Sequence, residues 1–164
     1  ATIHFNIINQ AKHYVYIHTP YLIIGYEMQR ALETAAKAGV DVRITVPHVP
    51  DKKLVFMVTR ANYEVLLNAG VKIYEYTPGF IHSKSFVSDD EIGLCGTTNM
   101  DYRSYYLHFE CGVLAYKSSI IKAMKQDYLD TLKDCCEVTL EECRKTPAAV
   151  RLMQAVLNLF APLM

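Results

Sequence analysis

The feature that most constrains this chain is the alternation of helix-like and strand-like segments through its first 77 residues. Residues 3–12 carry Ile3, Ile7, Ile8 and Ala11 at helical spacing, and HYVYIHT at 13–19 then alternates as a strand does. EMQRALETAAKAG at 27–39 is rich in helix formers, closes on Gly39, and leads into the buried-strand pattern DVRITVP at 41–47. After the loop HVPDKK at 48–53 the unit repeats, with LVFMVTRANYEVLLNAG reading as a helix stopped by Gly70 and VKIYEYT at 71–77 as a strand. Strands separated by helices of this length pair in parallel, because a parallel crossover needs about a dozen residues or more. The first half therefore predicts an open α/β sheet covered by helices.

From residue 80 the pattern changes. A strand at 81–88, a polar turn at Asp89, Asp90 and Glu91, and a strand at 92–96 predict a β-hairpin. FECGVLAY at 109–116 reads as a further strand, and SSIIKAMKQDYLDTLKDCCE opens a long helix with Ser118 or Ser119 as its N-cap. A length of 164 residues suits one domain and not two, and 51% apolar with 21% charged residues is a folded composition. Lys plus Arg equals Asp plus Glu at 17 each, which gives no basic excess for a nucleic-acid partner. Cys95, Cys111, Cys135, Cys136 and Cys143 form no CxxC pair and no repeated ligand spacing, so they read as reduced, buried, inert thiols. No apolar run reaches the roughly 18 residues a membrane span requires, and no signal-peptide pattern is present. The chain starts at Ala1 inside a helix-like pattern, which reads as a piece of something larger.

The chemistry gathers between residues 80 and 101. On a strand His82 and Lys84 share a face, and a hairpin turning about residue 90 sets position 82 opposite 98, beside Thr97 and Asn99. An ammonium, an amide, a hydroxyl and an imidazole without a carboxylate cluster suit a phosphate anion better than a metal. Lys84, Asn99 and Thr97 would hold the oxygens, leaving His82 as nucleophile or acid–base catalyst, with neither metal nor cofactor. The run Asp89-Asp90-Glu91 lacks the spacing of a calcium loop and reads as a solvated turn. Lys52 and Lys53 are either a wet loop or an attractor for an anionic lipid head group. His4, His13, His18, His48 and His108 read as structural or exposed.

The string His82-x-Lys84-x4-Asp89-x6-Gly96-Thr97-x-Asn99 resembles the HKD motif of the phospholipase D superfamily, with Thr97 where many members have Ser. The resemblance implies a single-domain, phospholipase D-like α/β fold, a mixed sheet flanked by helices, with the site at one sheet edge. It also implies that His82 forms a phosphohistidine, that Lys84 and Asn99 bind phosphoryl oxygens, and that Asp89 is structural. Glu110 matches the family's acidic residue that orients the nucleophilic imidazole. IHTPYLI, AAKAGVDVRI, LLNAGVKIYEYTPGFIHSK and GTTNMDYRSYYLHFE are similar to the second catalytic half of bacterial cardiolipin synthases, and Tyr21 falls in a loop that would line the substrate.

Those enzymes join two phosphatidylglycerols with release of glycerol and carry two HKD motifs; this chain has one. The resemblance therefore implies a half that acts as a homodimer or with a missing N-terminal HKD half, the alternative being a complete homodimeric phosphodiesterase or nuclease. Residues 1–146 are expected to form the catalytic domain and 147–164 a C-terminal amphipathic helix. Its stripe of Ala149, Leu152, Met153, Val156, Leu159, Phe160 and Leu163, near Arg144, Lys145 and Arg151, would pack on the core or lie on an anionic membrane. The implied location is the cytoplasmic face of the cell membrane, peripheral for this chain and membrane-anchored for a full-length protein.

Overall fold

A computed structural model describes residues 1–163. After helix α1 (Thr2–Gln10), strand β1 (Tyr14–His18) and the short β2 (Leu22–Ile23), the chain alternates through α2 (Tyr26–Lys37), β3 (Asp41–Pro47), α3 (Lys53–Ala61), α4 (Tyr63–Asn68) and β4 (Lys72–Tyr76). Then come β5 (Ser85–Ser88), β6 (Ile92–Gly96), β7 (Met100–Asp101), a π-turn at Arg103–Leu107, β8 (Gly112–Tyr116), α5 (Ile120–Thr131), β9 (Cys135–Glu137), α6 (Leu140–Arg144) and α7 (Ala148–Asn158).

Seven strands form one mixed sheet in the order β8-β6-β5-β1-β3-β4-β9, and β2 pairs in parallel with β7. Strands β1, β3 and β4 run parallel, while β5, β6, β8 and β9 are joined antiparallel, so the expected mixed α/β sheet with flanking helices is what forms. One face, through Val15, Ile17, Ile44 and Ile73, packs on Ile8 of α1, Leu32 of α2 and Leu66 of α4. The other carries Tyr14, Tyr16 and Val87 against Ile121 and Tyr128 of α5.

Gly39 and Gly70 stop their helices as expected. Both adopt the left-handed conformation (φ 95° and 97°), and paired backbone bonds, Gly39 N–H to Ala36 with Val40 N–H to Ala35 and the equivalents at 66–71, close a Schellman end. The hairpin turn is equally local: Asp89 and Asp90 sit at φ 53° and 57°, and Glu91 N–H bonds to the Ser88 carbonyl, a type I′ turn.

Four expectations need correction. The helix at 54–70 is two helices, because the buried Asn62 amide donates to the Leu22 and Val58 carbonyls and breaks the helix at that point. The long helix from Ser119 ends at Thr131, and Cys135–Glu137 is a strand that closes the free edge of β4, with Glu75 opposite Cys136. The cysteines are not buried: Cys95, Cys111 and Cys136 are exposed, and Cys135 and Cys143 are half-buried. The strand at 81–88 begins only at Ser85, because β1 ends at His18 and the chain turns away at Thr19–Pro20, leaving residues 82–84 no partner on that side.

Candidate active site

Strands β5 and β6 pair Ser85 with Cys95 and Ser88 with Ile92, the register expected for a turn about residue 90. One further bond, Gly96 N–H to the Lys84 carbonyl at 3.1 Å, carries this register to the motif lysine. Lys84 stands half-buried, and its ammonium donates to the His82 carbonyl at 2.8 Å. Burial pulls the Lys84 pKa down from its ordinary value, and the Glu110 and Asp101 carboxylates oppose that pull. His82 is exposed, its ring 5.7 Å from that of Phe80, which in turn lies 6.2 Å from the Tyr21 ring.

Gly96 is required by a close approach. A Cβ there would meet the Cys111 carbonyl oxygen at 2.4 Å and the Gly112 Cα at 2.6 Å, so any side chain would push β8 off β6. That contact brings Thr97 against the start of β8. The Thr97 hydroxyl accepts from the Cys111 N–H at 3.0 Å and donates to the Glu110 carboxylate in a short hydrogen bond. Glu110 also faces the His108 Nδ1 at 3.7 Å. No hydrogen bond or ion pair joins Glu110 to His82 among the described residues; the expected orienting contact within the chain is replaced by one to Thr97.

Asn99 is half-buried; its N–H donates to the Ser104 hydroxyl at 3.1 Å, and its side-chain oxygen is buried without a partner. Amide oxygen and nitrogen are interchangeable by a flip, so the Asn99 side chain is one free polar end at the motif. The strand that follows is anchored by groups sequence reasoning did not single out: Met100 N–H donates to the Thr19 hydroxyl, and buried Asp101 accepts from Ser104 N–H at 2.7 Å. A Ser three residues after Asp101 was the available signal.

Asp89 is engaged by the backbone. Its carboxylate accepts the backbone N–H groups of Lys12, His13 and Tyr14 at 2.7, 3.0 and 2.9 Å, tying the hairpin turn to the entry of β1. Tyr21 donates its hydroxyl to Asp51 at 2.5 Å, and burial, followed by Asp51, raises its pKa. Lys52 and Lys53 are exposed at the start of α3 and make no ion pair among the described residues.

The sequence and the mixed sheet together group this chain with known proteins. The family described as "Cardiolipin synthase, PLD-like domain" matches residues 5–131, and the chain belongs to it, within the phospholipase D superfamily. It is 43% identical over 161 residues to a cardiolipin synthase of Clostridium perfringens, covering 98% of this chain and 34% of that one. The chain thus spans about a third of the length of the curated relatives it matches. Among solved structures it is similar to the phospholipase D family member Nuc from Salmonella typhimurium (TM-score 0.73, 17% identity, 84% of this chain and 89% of that one). It is also similar to the phosphatidylserine synthase of Haemophilus influenzae (TM-score 0.73, 18% identity, 97% and 41%).

Proposed function

We propose that this chain is one HKD half of an enzyme that transfers a phosphatidyl group between two phosphatidylglycerols. His82 attacks phosphorus, a P–N bond forms, and the P–O bond to glycerol breaks while a histidine of the other half gives the departing oxygen its proton. The hydroxyl of a second phosphatidylglycerol then attacks phosphorus. Its proton returns to that second histidine, the P–N bond breaks, and cardiolipin leaves. The Lys84 ammonium offsets the charge on the phosphoryl oxygens through both steps, and the Asn99 amide donates a hydrogen bond to them. Tyr21, beyond Phe80, flanks the approach to His82, with Lys52 and Lys53 as further contacts for anionic head groups.

The observation that supports this reading is the β5–β6 register, continued by the bond from Gly96 N–H to the Lys84 carbonyl, so that the two parts of the motif leave neighbouring strands at the same end of the hairpin. The half-site reading has its own support. Edge strand β8 and the segment before it expose Tyr106, Leu107, Phe109, Val113, Leu114 and Tyr116, an apolar surface around Glu110 of the kind a partner covers. Glu110, engaged by Thr97 and not by His82, is left to serve an imidazole brought by that partner.

Residues 147–164 are proposed to rest on the membrane. Leu157 and Ala161 pack α7 and the turn after it against Val58, whereas Leu152, Met153, Val156, Leu159 and Phe160 face outward; the Leu163 side chain lies outside the described residues. The nearby cations are engaged locally, Arg151 with Glu64 at 2.7 Å and Lys145 with Glu141 at 2.7 Å, so the apolar stripe and not charge would supply adhesion. Among the described residues no helix is long and apolar enough to cross a membrane.

Phosphatidylglycerol supplied in vesicles to the full-length protein tests the reading. Cardiolipin and glycerol should form in equal amounts and vanish in His82→Asn, and the label from phosphate-labelled lipid should be trapped on His82. Hydrolysis of simple phosphodiesters by a homodimer, without transfer between lipids, would overturn it in favour of the phosphodiesterase. Removal of residues 147–164 should lower vesicle flotation; equal flotation would return that helix to a purely packing role.

A further inference from the structure

The far side of the parallel strands holds a second cluster that the phosphate chemistry does not use. Three neighbouring strands each contribute one donor: His48 just after β3, Glu75 in β4, and Cys136 in β9, directly opposite Glu75 in the ladder. One His48 ring nitrogen, a Glu75 carboxylate oxygen and the Cys136 Sγ lie within 4.8 Å of one another. They border a cavity of about 740 Å³ between the sheet end, α3, α6 and α7. The wall carries four carboxylates, Glu64, Glu75, Glu137 and Glu142, against two guanidinium groups, Arg60 and Arg151, and so favours a cation.

Glu75 is 3% exposed and all four of its acceptor positions are in use. Oε1 takes the Arg60 Nε–H at 2.9 Å and the Tyr63 hydroxyl at 3.1 Å, and Oε2 takes the Arg60 Nη2–H at 2.7 Å and faces the His48 Nδ1 at 2.7 Å. Three of these partners hold the carboxylate in place, as outer groups do around metal-binding carboxylates. The fourth is a proton shared with an imidazole, which is the position a metal ion can take.

We infer that His48, Glu75 and Cys136 bind a zinc-class divalent cation. A mixed N, O and S donor set selects zinc or cobalt over magnesium or calcium, whose ligands are oxygens. Tetrahedral bonds of about 2.0–2.3 Å hold donors roughly 3.3–3.6 Å apart, so the Nδ1–Oε2 pair opens by about half an ångström and the widest separation closes by about an ångström around the ion. On binding, the His48 proton moves to Nε2, the Cys136 thiol releases its proton to solvent, and Nδ1, Oε2 and Sγ each give a lone pair. A fourth position faces the cavity and takes water. The ion would lock β9 to β4 and β3, strands that are joined at this edge by only three ladder pairs on the β9 side.

Cobalt(II) titration of the metal-stripped protein is the test. One equivalent should bind with a sulfur-to-cobalt charge-transfer absorption, release about one proton near neutral pH, and be displaced by zinc. Cys136→Ser should abolish the absorption, and His48→Gln should weaken binding by at least about tenfold. Both side chains are solvent-exposed, so both variants should keep the wild-type circular dichroism. Absence of the absorption in the wild type, or its survival in Cys136→Ser through the other four thiols, overturns the assignment. The readout is independent of lipid turnover, so it fails or holds separately from the role given to His82.

Discussion

Glu110 shows how a residue can be placed by its motif and still surprise in its partner. Its carboxylate is bonded to the Thr97 hydroxyl, 13 positions away, and lies 3.7 Å from the His108 Nδ1. If it serves the imidazole of a second half, Glu110→Gln removes the charge that stabilises imidazolium while keeping the shape. In the two-motif protein we expect kcat to fall about 10–100-fold with KM almost unchanged. The alkaline limb of the pH profile should move to lower pH, because the general-acid histidine loses its stabilising anion. A profile unmoved by Glu110→Gln would reduce the residue to a structural partner of Thr97. A second residue-scale prediction concerns His4 and His18, both buried, with His4 Nδ1 and His18 Nε2 lacking partners. Burial lowers each folded-state pKa from 6.5 to about 4. The unfolded chain therefore takes up these protons first: the stabilisation is present above about pH 6.5 and is lost as pH falls toward about 4. Melting temperature should drop across that window, and His18→Gln should flatten the drop.

At the scale of elements, what was legible in the sequence is what local chemistry decides. Gly39 and Gly70 end helices because a left-handed residue closes a Schellman turn, and Asp89-Asp90 make a type I′ hairpin whose register puts Lys84 opposite Gly96. What the sequence did not reveal was decided by distant partners. Asn62 splits a helix because the Leu22 carbonyl, 40 residues away, needs its amide. Cys135–Glu137 continues a helical pattern yet forms a strand because β4 presents an open edge. The His48, Glu75 and Cys136 group was illegible for the same reason: two members come from neighbouring strands and the third from the turn just after another. Asp89 lies between these cases, since its motif position was clear but its three amide partners were not. Asp89→Ala leaves those amides short of an acceptor, and we expect a loss of about 1–3 kcal/mol in urea unfolding. Catalysis per folded molecule should stay unchanged; a selective loss of turnover would place Asp89 in the chemistry instead.

For the whole molecule, the question is what completes it. A sheet edge at β8 with Phe109 fully exposed and Val113, Leu114 and Tyr116 largely so is a surface that an isolated domain would bury or charge. It adjoins Thr97 and Glu110, so a partner that covered it would also close the proposed phosphate site and exclude water from the proposed phosphohistidine. The relatives, about three times as long, carry chain enough for a complementary half. We therefore expect the isolated chain, held monomeric by dilution, to turn over no lipid, and the full-length protein to be active. Phe109→Glu with Leu114→Glu should leave the circular dichroism intact, because neither side chain packs in the core. Burying the two carboxylates in an apolar contact should cost several kcal/mol, enough to part the halves and remove most of the activity. Wild-type turnover in that double variant, or transfer by the monomeric chain, would show that one HKD motif suffices and that β8 faces something other than a second catalytic half.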